Sequence, residues 1–338
     1  MRIALAHNLR RGDEVGQRGF TSPGEVEELL TGLRALGHEP VAVEVSATLE
    51  VTLARLRSAR PDLVFNLAEG WSGPWRQSFY PALYDQLGLA HTGSGPQALA
   101  LALDKHLTKL VLRAHGIPTP GWVFVRDGAQ VPALDHLRFP VIVKPNFESC
   151  SKGIGPQSLA ATPDEARTRA LGCLAEYPDG VLVEEYVPGR DLTVPYFTAA
   201  GGALTVAETT MPDTAAYGGL FDYVLKQDPS RWSHLKVPAP IPSALAAQAR
   251  TLTHTAVQAL GLHDFARADF RLAPDGALHL LEVNGLPGLP AGGASHQAAV
   301  LAGLAPNTGL ADAVISAAVT RLGLSTTASD GFVHETFS

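Results

Sequence analysis

Apolar and polar positions along the first ninety residues alternate between two rhythms. Short apolar runs predict strands over 2–7, 40–45 and 63–67. Between them lie stretches with the 3.6-residue period of a helix. Over 25–36, Val26, Leu29, Leu30, Leu33 and Leu36 form one stripe, and Gly37 is a stop. Helices are likewise predicted over 49–58 and 81–87, and residues 89–93 close the unit. Strands alternating with helices predict a small open parallel sheet. Ligands bind such sheets at the carboxyl ends of the strands, so the turns 8–23 and 68–78 are candidate substrate loops.

The later pattern is more mixed. A helix opens at 103–109 and ends near Gly116, and a strand covers 140–145. Thr162-Pro163-Asp164-Glu165 has the form of a capping box and starts a helix over 162–176. A strand over 181–187 follows. Residues 211–236 lack clear periodicity, which suggests a functional lid. A long helix covers 243–260. Residues 266–271 and 278–284 read as a hairpin turned at Pro274-Asp275-Gly276, and the last helix covers 310–322. The polar stretch 325–338 is expected to be loosely held. The fold class is α/β (α+β).

The chain's 338 residues allow two or three modest domains. Its net charge of −7, without a basic run, argues against nucleic acid. Cys150 and Cys173 suit neither a disulfide framework nor a zinc motif. No apolar run spans a bilayer, and the N-terminus enters a strand without a leader-like segment, so the expectation is a cytoplasmic protein that uses no membrane.

The hairpin carries the strongest candidate chemistry. Glu282 and Asn284 are two apart, hence on one strand face, and Asp269 comes from the neighbouring strand. Three such oxygen donors suit Mg²⁺, which shares its shell with nucleotide phosphates. Arg267, two before Asp269, can stabilise negative charge beside the metal. Lys144 ends an apolar strand and needs an anion. The following Gly/Ser-rich loop, 146–155, can offer backbone amides to phosphate. Cys150, with no partner base evident, reads as a pocket residue rather than a nucleophile.

The run Arg267-Ala268-Asp269-Phe270-Arg271-Leu272, with Leu280-Leu281-Glu282-Val283-Asn284-Gly285-Leu286-Pro287-Gly288, resembles the metal end of the ATP-grasp fold, and more narrowly the D-alanine–D-alanine ligase family. Val141-Ile142-Val143-Lys144-Pro145 with Glu148, Ser151 and Gly153, and Asp104-Lys105 followed by Gly116-Ile117-Pro118-Thr119-Pro120, extend the resemblance over about residues 80–290. It implies an ATP-grasp fold preceded by a small parallel-sheet domain. The divisions would be 1–93 on the substrate side, 94–183 and 184–325 as the two ATP-grasp subdomains with the metal site in the second, and a flexible tail at 326–338.

The resemblance also implies roles. Lys105, Lys144 and Lys226 would gather phosphates, with Glu148, Ser151 and Gly153 in the loop; Lys109 would face solvent. Glu184 and the backbone of Glu185 and Val187 would read adenine, and Asp191 the ribose. Asp269, Glu282 and Asn284 would hold Mg²⁺, as two ions, with Mn²⁺ as a substitute. Arg267 and the amide of Gly288 would meet the oxyanion. Glu25 would take the first substrate's amine, or simply favour a helix N-terminus. ATP would drive amide formation between small carboxylate and amine substrates in a homodimer joined through the N-terminal domain.

Four departures bear on substrate. The family's His-Gly-x-Gly-Gly-Glu-Asp-Gly loop is replaced by 66–76, a Ser by Cys150, an aromatic by Gln227, and the segment 287–296 displaces the Ser that precedes His296. They favour a carboxylate–amine ligase with substrates other than two D-alanines. Cell-wall D-alanine–D-alanine ligation is the alternative. A catalytically inactive ATP-binding protein is a third reading, which the presence of Arg267, Asp269, Glu282 and Asn284 argues against.

Overall fold

The computed structural model describes residues 1–12, 17, 19–210 and 234–324. Lys226, Gln227, most of the lid stretch and the tail lie outside these residues.

Strand β1 (Arg2–His7) lies between β2 (Glu39–Glu44) and β3 (Leu63–Leu67), all parallel. The two-residue alternation of β1 separates two cores. Ile3 and Leu5 face α1 (Pro23–Ala35) and α9 (Gly309–Leu322), while Ala4 and Ala6 pack with Leu56 and Ala59 of α2 (Leu49–Ala59) and Tyr80 and Tyr84 of α3 (Arg76–Gln86). The third helix begins five residues earlier than the periodicity suggests, because Pro81 sits inside it. That shortens the 68–78 substrate loop and puts Arg76 and Gln77 on a helix.

Helices α4 (Pro96–Leu103) and α5 (Lys105–Ala114) follow, separated at Asp104, whose side chain caps α5 by accepting from Leu107 N–H. The next sheet is antiparallel, in the order β4 (Trp122–Val125), β7 (Val181–Glu185), β5 (Val141–Pro145), β6 (Leu159–Ala160). Its apolar face packs on α6 (Pro163–Glu176) through Ala166 and Ala170. At the start of α6, Thr162 accepts from Glu165 N–H, but the Glu165 carboxylate reaches Ala161 N–H rather than the cap residue's own.

The last sheet runs β11 (His234–Lys236), β10 (Ala207–Thr210), β8 (Arg190–Phe197), β12 (Phe265–Leu272), β13 (Leu278–Asn284), with β9 (Gly202–Ala203) on β8. Leu192 and Val194 of β8, Ala266 to Leu272 at alternate positions of β12, and Leu278, Leu280 and Val283 of β13 share a core with α7 (Ser243–Ala259) and α4. A short helix, α8 (Ala294–Leu301), precedes α9. Asp264 ties the turn at Gly93 to the last helix: it binds Arg321 at 2.8 Å and accepts from Gly93 N–H. Among the described residues no helix is long and apolar enough to cross a membrane.

Candidate active site

In the β12–β13 pair, Arg267 stands opposite Asn284 and Asp269 opposite Glu282. Residues directly opposed across an antiparallel pair share a face. The register then shifts: Phe270 pairs with Leu280, leaving Leu281 as the extra residue of a bulge. Strict alternation would put Leu280 and Glu282 on one side. The bulge frees Leu278 and Leu280 to join Val283 in the core while Glu282 and Asn284 stay on the site face.

Asp269 is the hub of this face. It accepts from Arg267 Nη2 at 2.7 Å, from Asn284 Nδ2 at 2.9 Å and, across the sheet, from Thr193 Oγ1 at 2.9 Å. Glu282 Oε2 lies 3.3 Å from Lys105 Nζ, which also donates to the Glu148 carbonyl. Burial alone would raise the Glu282 carboxyl, but Lys105, Lys144 and Arg267 hold it down to about 2. Burial opposes the Arg267 charge too, yet Asp269, Glu282 and the nearby Cys150 keep its guanidinium above the usual arginine range. Burial pushes Lys105 below the usual lysine range despite the pull of Glu282.

Behind this face is a buried charge cluster. The Glu184 carboxylate receives Lys144 Nζ at 2.8 Å and Lys109 Nζ at 2.7 Å. Lys109 therefore does not face solvent as expected: it is fully buried, also donates to Thr119 Oγ1 at 2.6 Å, and lies 5.5 Å from the Trp122 ring centre. The helix stripe of α5 turns inward here, and a buried ammonium is tolerated because the carboxylate meets it.

The loop after β5 turns through three left-handed residues, Cys150 and Ser151 at φ 57° and Gly153 at φ 72°. Gly153 is required: a Cβ there would stand 2.5 Å from Pro145 Cγ. Successive left-handed turns of this kind aim backbone amides inward as an anion-binding concavity. Arg76, 3% exposed, reaches the loop from α3. It donates to Phe147 O at 2.6 Å and pairs with Glu148 at 3.4 Å and Glu69 at 3.3 Å. A small cleft is lined by Gln77, Lys105, Glu148, Ser149, Glu282 and Asn284.

The donor set fits Mg²⁺ better than a metal held by protein alone. Among the described residues no three His, Cys, Asp or Glu side chains group to hold an ion. Asp269, Glu282 and Asn284 instead supply a few oxygens, and because Asn284 gives its Nδ2 to Asp269, its Oδ1 is left as a donor to a cation. Such a partial shell suits an ion that keeps water and phosphate ligands.

The family model for the D-ala D-ala ligase C-terminus matches residues 111–314. The chain belongs to the D-alanine–D-alanine ligase family. Membership makes it an ATP-dependent ligase that forms a C–N bond. It is 35% identical over 263 residues to the D-alanine–D-alanine ligase of Nitratidesulfovibrio vulgaris, covering 76% of this chain and 80% of that one. It is 32% identical over 284 residues to an uncharacterized protein of Sinorhizobium fredii, covering 82% and 81%. The fold is also that of the D-alanine–D-alanine ligase from Bacillus anthracis solved with ATP, at TM-score 0.74 and 22% identity over 95% of this chain and 98% of that one. The ATP-grasp architecture behind a small parallel sheet is thus the one expected.

In this member of the D-alanine–D-alanine ligase family, other expected site residues are engaged as follows. Glu185 N–H donates to Gly121 O, and its carboxylate is clasped by Arg138 at 2.9 Å. Arg271, missed in the sequence, donates to Val187 O at 2.9 Å and pairs with Asp191 at 2.8 Å, fixing the turn between β7 and β8. Gly288 is exposed, four residues past the end of β13. His296 starts α8, with Nε2 2.7 Å from Pro306 O.

Glu25 caps its own helix. Its carboxylate accepts from Ser22 N–H at 2.7 Å and Ser22 Oγ at 2.6 Å, while Glu25 N–H donates to Ser22 Oγ: a complete capping box for α1. Glu25→Ala should cost about 1 kcal/mol of stability, read as a shifted urea midpoint with unchanged slope. A variant as stable as the parent would show that the cap contributes nothing. Arg76, Glu69, Gln77 and Thr193 were also missed. Thr193 had a usable signal, the alternation of Leu192, Val194 and Tyr196 around it.

Proposed function

We propose that this ligase joins the carboxyl of one small acid to the amine of another small molecule, with Mg-ATP as the driving reactant and a substrate pair other than two D-alanines. The observation that carries the ligation chemistry is the convergence of Arg267, Asp269, Glu282 and Asn284 on one strand face opposite Lys105. The altered substrate side supports the specificity: Cys150 stands in the phosphate loop, and the 66–76 segment folds into a Glu69–Arg76 pair that reaches that loop.

Lys105, Lys144 and the amides of 149–153 would bind and orient the triphosphate. Mg²⁺, one ion or two, would neutralise phosphate charge and would be held by Asp269, Glu282 and Asn284. The acid's carboxylate oxygen attacks the γ-phosphorus, giving an acyl phosphate and ADP; the chain's part in this is alignment and fixed positive charge. The amine then attacks the acyl carbon, the tetrahedral oxyanion is met by Arg267 and the Gly288 amide, and phosphate leaves. On the family resemblance the enzyme would act in the cytoplasm as a homodimer.

The test is ADP and phosphate release with Mg-ATP over a panel of amino acids, singly and in pairs, with products identified by mass. Turnover of a pair other than D-alanine twice is the expected outcome. The names of the 35% identical relatives favour a second reading, the D-alanine dipeptide, and its formation from D-alanine alone would replace the first. No turnover with any pair would remove both.

A further inference from the structure

The phosphate loop after β5 is gripped from outside by a side chain that takes no step in the chemistry above. Backbone bonds fix the loop at its two ends: Asn146 N–H donates to Gly180 O at 2.9 Å, and Ile154 N–H to Ser151 O at 3.1 Å. The stretch between, Phe147 to Ser149, is met by Arg76. Its Nη1 donates to Phe147 O at 2.6 Å and to Glu148 Oε1 at 3.4 Å, and its Nη2 to Ser149 Oγ at 3.4 Å. Its Nε donates to Glu69 Oε2 at 3.3 Å. All three guanidinium nitrogens are engaged with protein atoms, so Arg76 is placed to hold the loop rather than a substrate.

The acid-side segment is shaped to present this side chain. Arg76 opens α3, which packs on the parallel sheet, whereas the loop follows a strand of the antiparallel one. Gly70 N–H donates to Arg76 O at 2.7 Å, and a Cβ on Gly70 would stand 3.3 Å from Arg76 Cα, so the segment 70–76 closes on itself. Glu69 is fixed in turn by its N–H, which donates at 2.8 Å to Asn8 Oδ1 just past β1. A buried guanidinium is costly without counter-charge; Glu69 and Glu148 flank this one. Beyond the loop, Lys105 donates to the Glu148 carbonyl and pairs with Glu282 at 3.3 Å. One connected run of contacts leads from the 66–76 segment, through Phe147 to Ser149, to Lys105 and Glu282.

We propose that Arg76 is a positioning residue for the phosphate loop: its fork sets Phe147 to Ser149 so that the amides of 149–153 face the triphosphate, and the segment 66–76 thereby tunes nucleotide binding from the acid side. This rests on the ligase reading above and adds to it a residue that touches neither nucleotide nor acid. The planar fork is what the role needs. A lysine at this position would keep the charge but offer one nitrogen where Arg76 offers three. A loop left to order itself on binding subtracts that ordering entropy from the affinity.

The experiment uses the full chain with Mg²⁺ and needs no turnover. Calorimetry reads AMP-PNP affinity, and hydrogen exchange without nucleotide reads protection of the loop amides. Arg76→Met should weaken AMP-PNP binding about tenfold. It should also speed exchange over 147–153 while 141–144 and 181–185 stay as protected as in the wild type. Arg76→Lys should remain at least about threefold weaker than the wild type, and it carries the test alone if the Met variant folds poorly. Unchanged AMP-PNP affinity, or loosening confined to α3, would make Arg76 a helix-start residue only and overturn the assignment with the ligase reading intact. Weaker binding without faster loop exchange, or full recovery by Lys, would show that charge suffices without position, and overturns it equally. If the wild type itself fails to bind AMP-PNP, the phosphate-loop reading falls and the assignment with it.

Discussion

Glu282→Gln should reduce ADP release by about two to three orders of magnitude while leaving the fold intact. The side chain keeps its shape and one acceptor oxygen, so the β13 backbone and the bulge at Leu281 are undisturbed. What disappears is a negative charge at the meeting point of Lys105, Arg267 and the metal-binding face. Three positive neighbours hold its carboxyl down to about 2, so it is ionised throughout any assay range. Substitution therefore removes a full charge at neutral pH, not a fraction. The Mg²⁺ concentration giving half-maximal rate should rise in parallel. The same shift sets a stability signature. The folded carboxyl titrates below its ordinary value, so its contribution is complete above about pH 4.5 and is lost as pH falls toward 2. Wild type and variant should accordingly converge in stability at the acid end and differ at pH 7. Rates within threefold of wild type at saturating Mg²⁺ would exclude Glu282 from the reaction centre.

How much of this was legible depends on whether a residue's partner lies close in sequence. The hairpin face could be read because Arg267, Asp269, Glu282 and Asn284 sit on two consecutive strands, where a two-residue period fixes the face. Even there the bulge was hidden: three Leu in four positions at 278–281 do not say which one is extra. The N-terminal strands are readable from apolar runs, and their helices from stripes, but the first turn of α3, 76–80, carries no apolar stripe of its own and has Pro81 after it. Strand β8 was missed although Leu192, Val194 and Tyr196 alternate, since Pro195 argues against a central strand. Long-range electrostatics left no trace at all. A lysine on a helix usually faces solvent, but the burial of Lys109 depends on Glu184, seventy-five positions on. Arg76 and Glu69 are seven apart, yet their importance comes from the loop at 147–149, which no local pattern links to them.

The buried triad makes the other large prediction, and its charge arithmetic makes it discriminating. Lys109 and Lys144 share one carboxylate, leaving one positive charge in excess within this buried triad. Glu184→Gln removes their only shared counter-charge and leaves two buried ammoniums facing a neutral amide. Breaking a buried pair this way costs about 3–5 kcal/mol. Lys109→Met instead leaves Lys144 and Glu184 as a balanced pair beside an apolar chain of similar length, and should cost only about 1 kcal/mol. Urea unfolding should therefore separate the two variants widely. Burial disfavours the Glu184 charge, but Lys109 and Lys144 win and hold its carboxyl below the usual range. Its contribution is then present above the ordinary carboxylate pKa and is lost as pH falls through the lowered one, so the gap between wild type and Glu184→Gln should narrow in acid. The excess charge also predicts what a polyanion does: inorganic triphosphate should stabilise the wild type more than it stabilises Lys109→Met, which has no surplus to neutralise. Equal destabilisation by both substitutions, with equal protection by triphosphate, would mean that the cluster is held by packing and not by its charges.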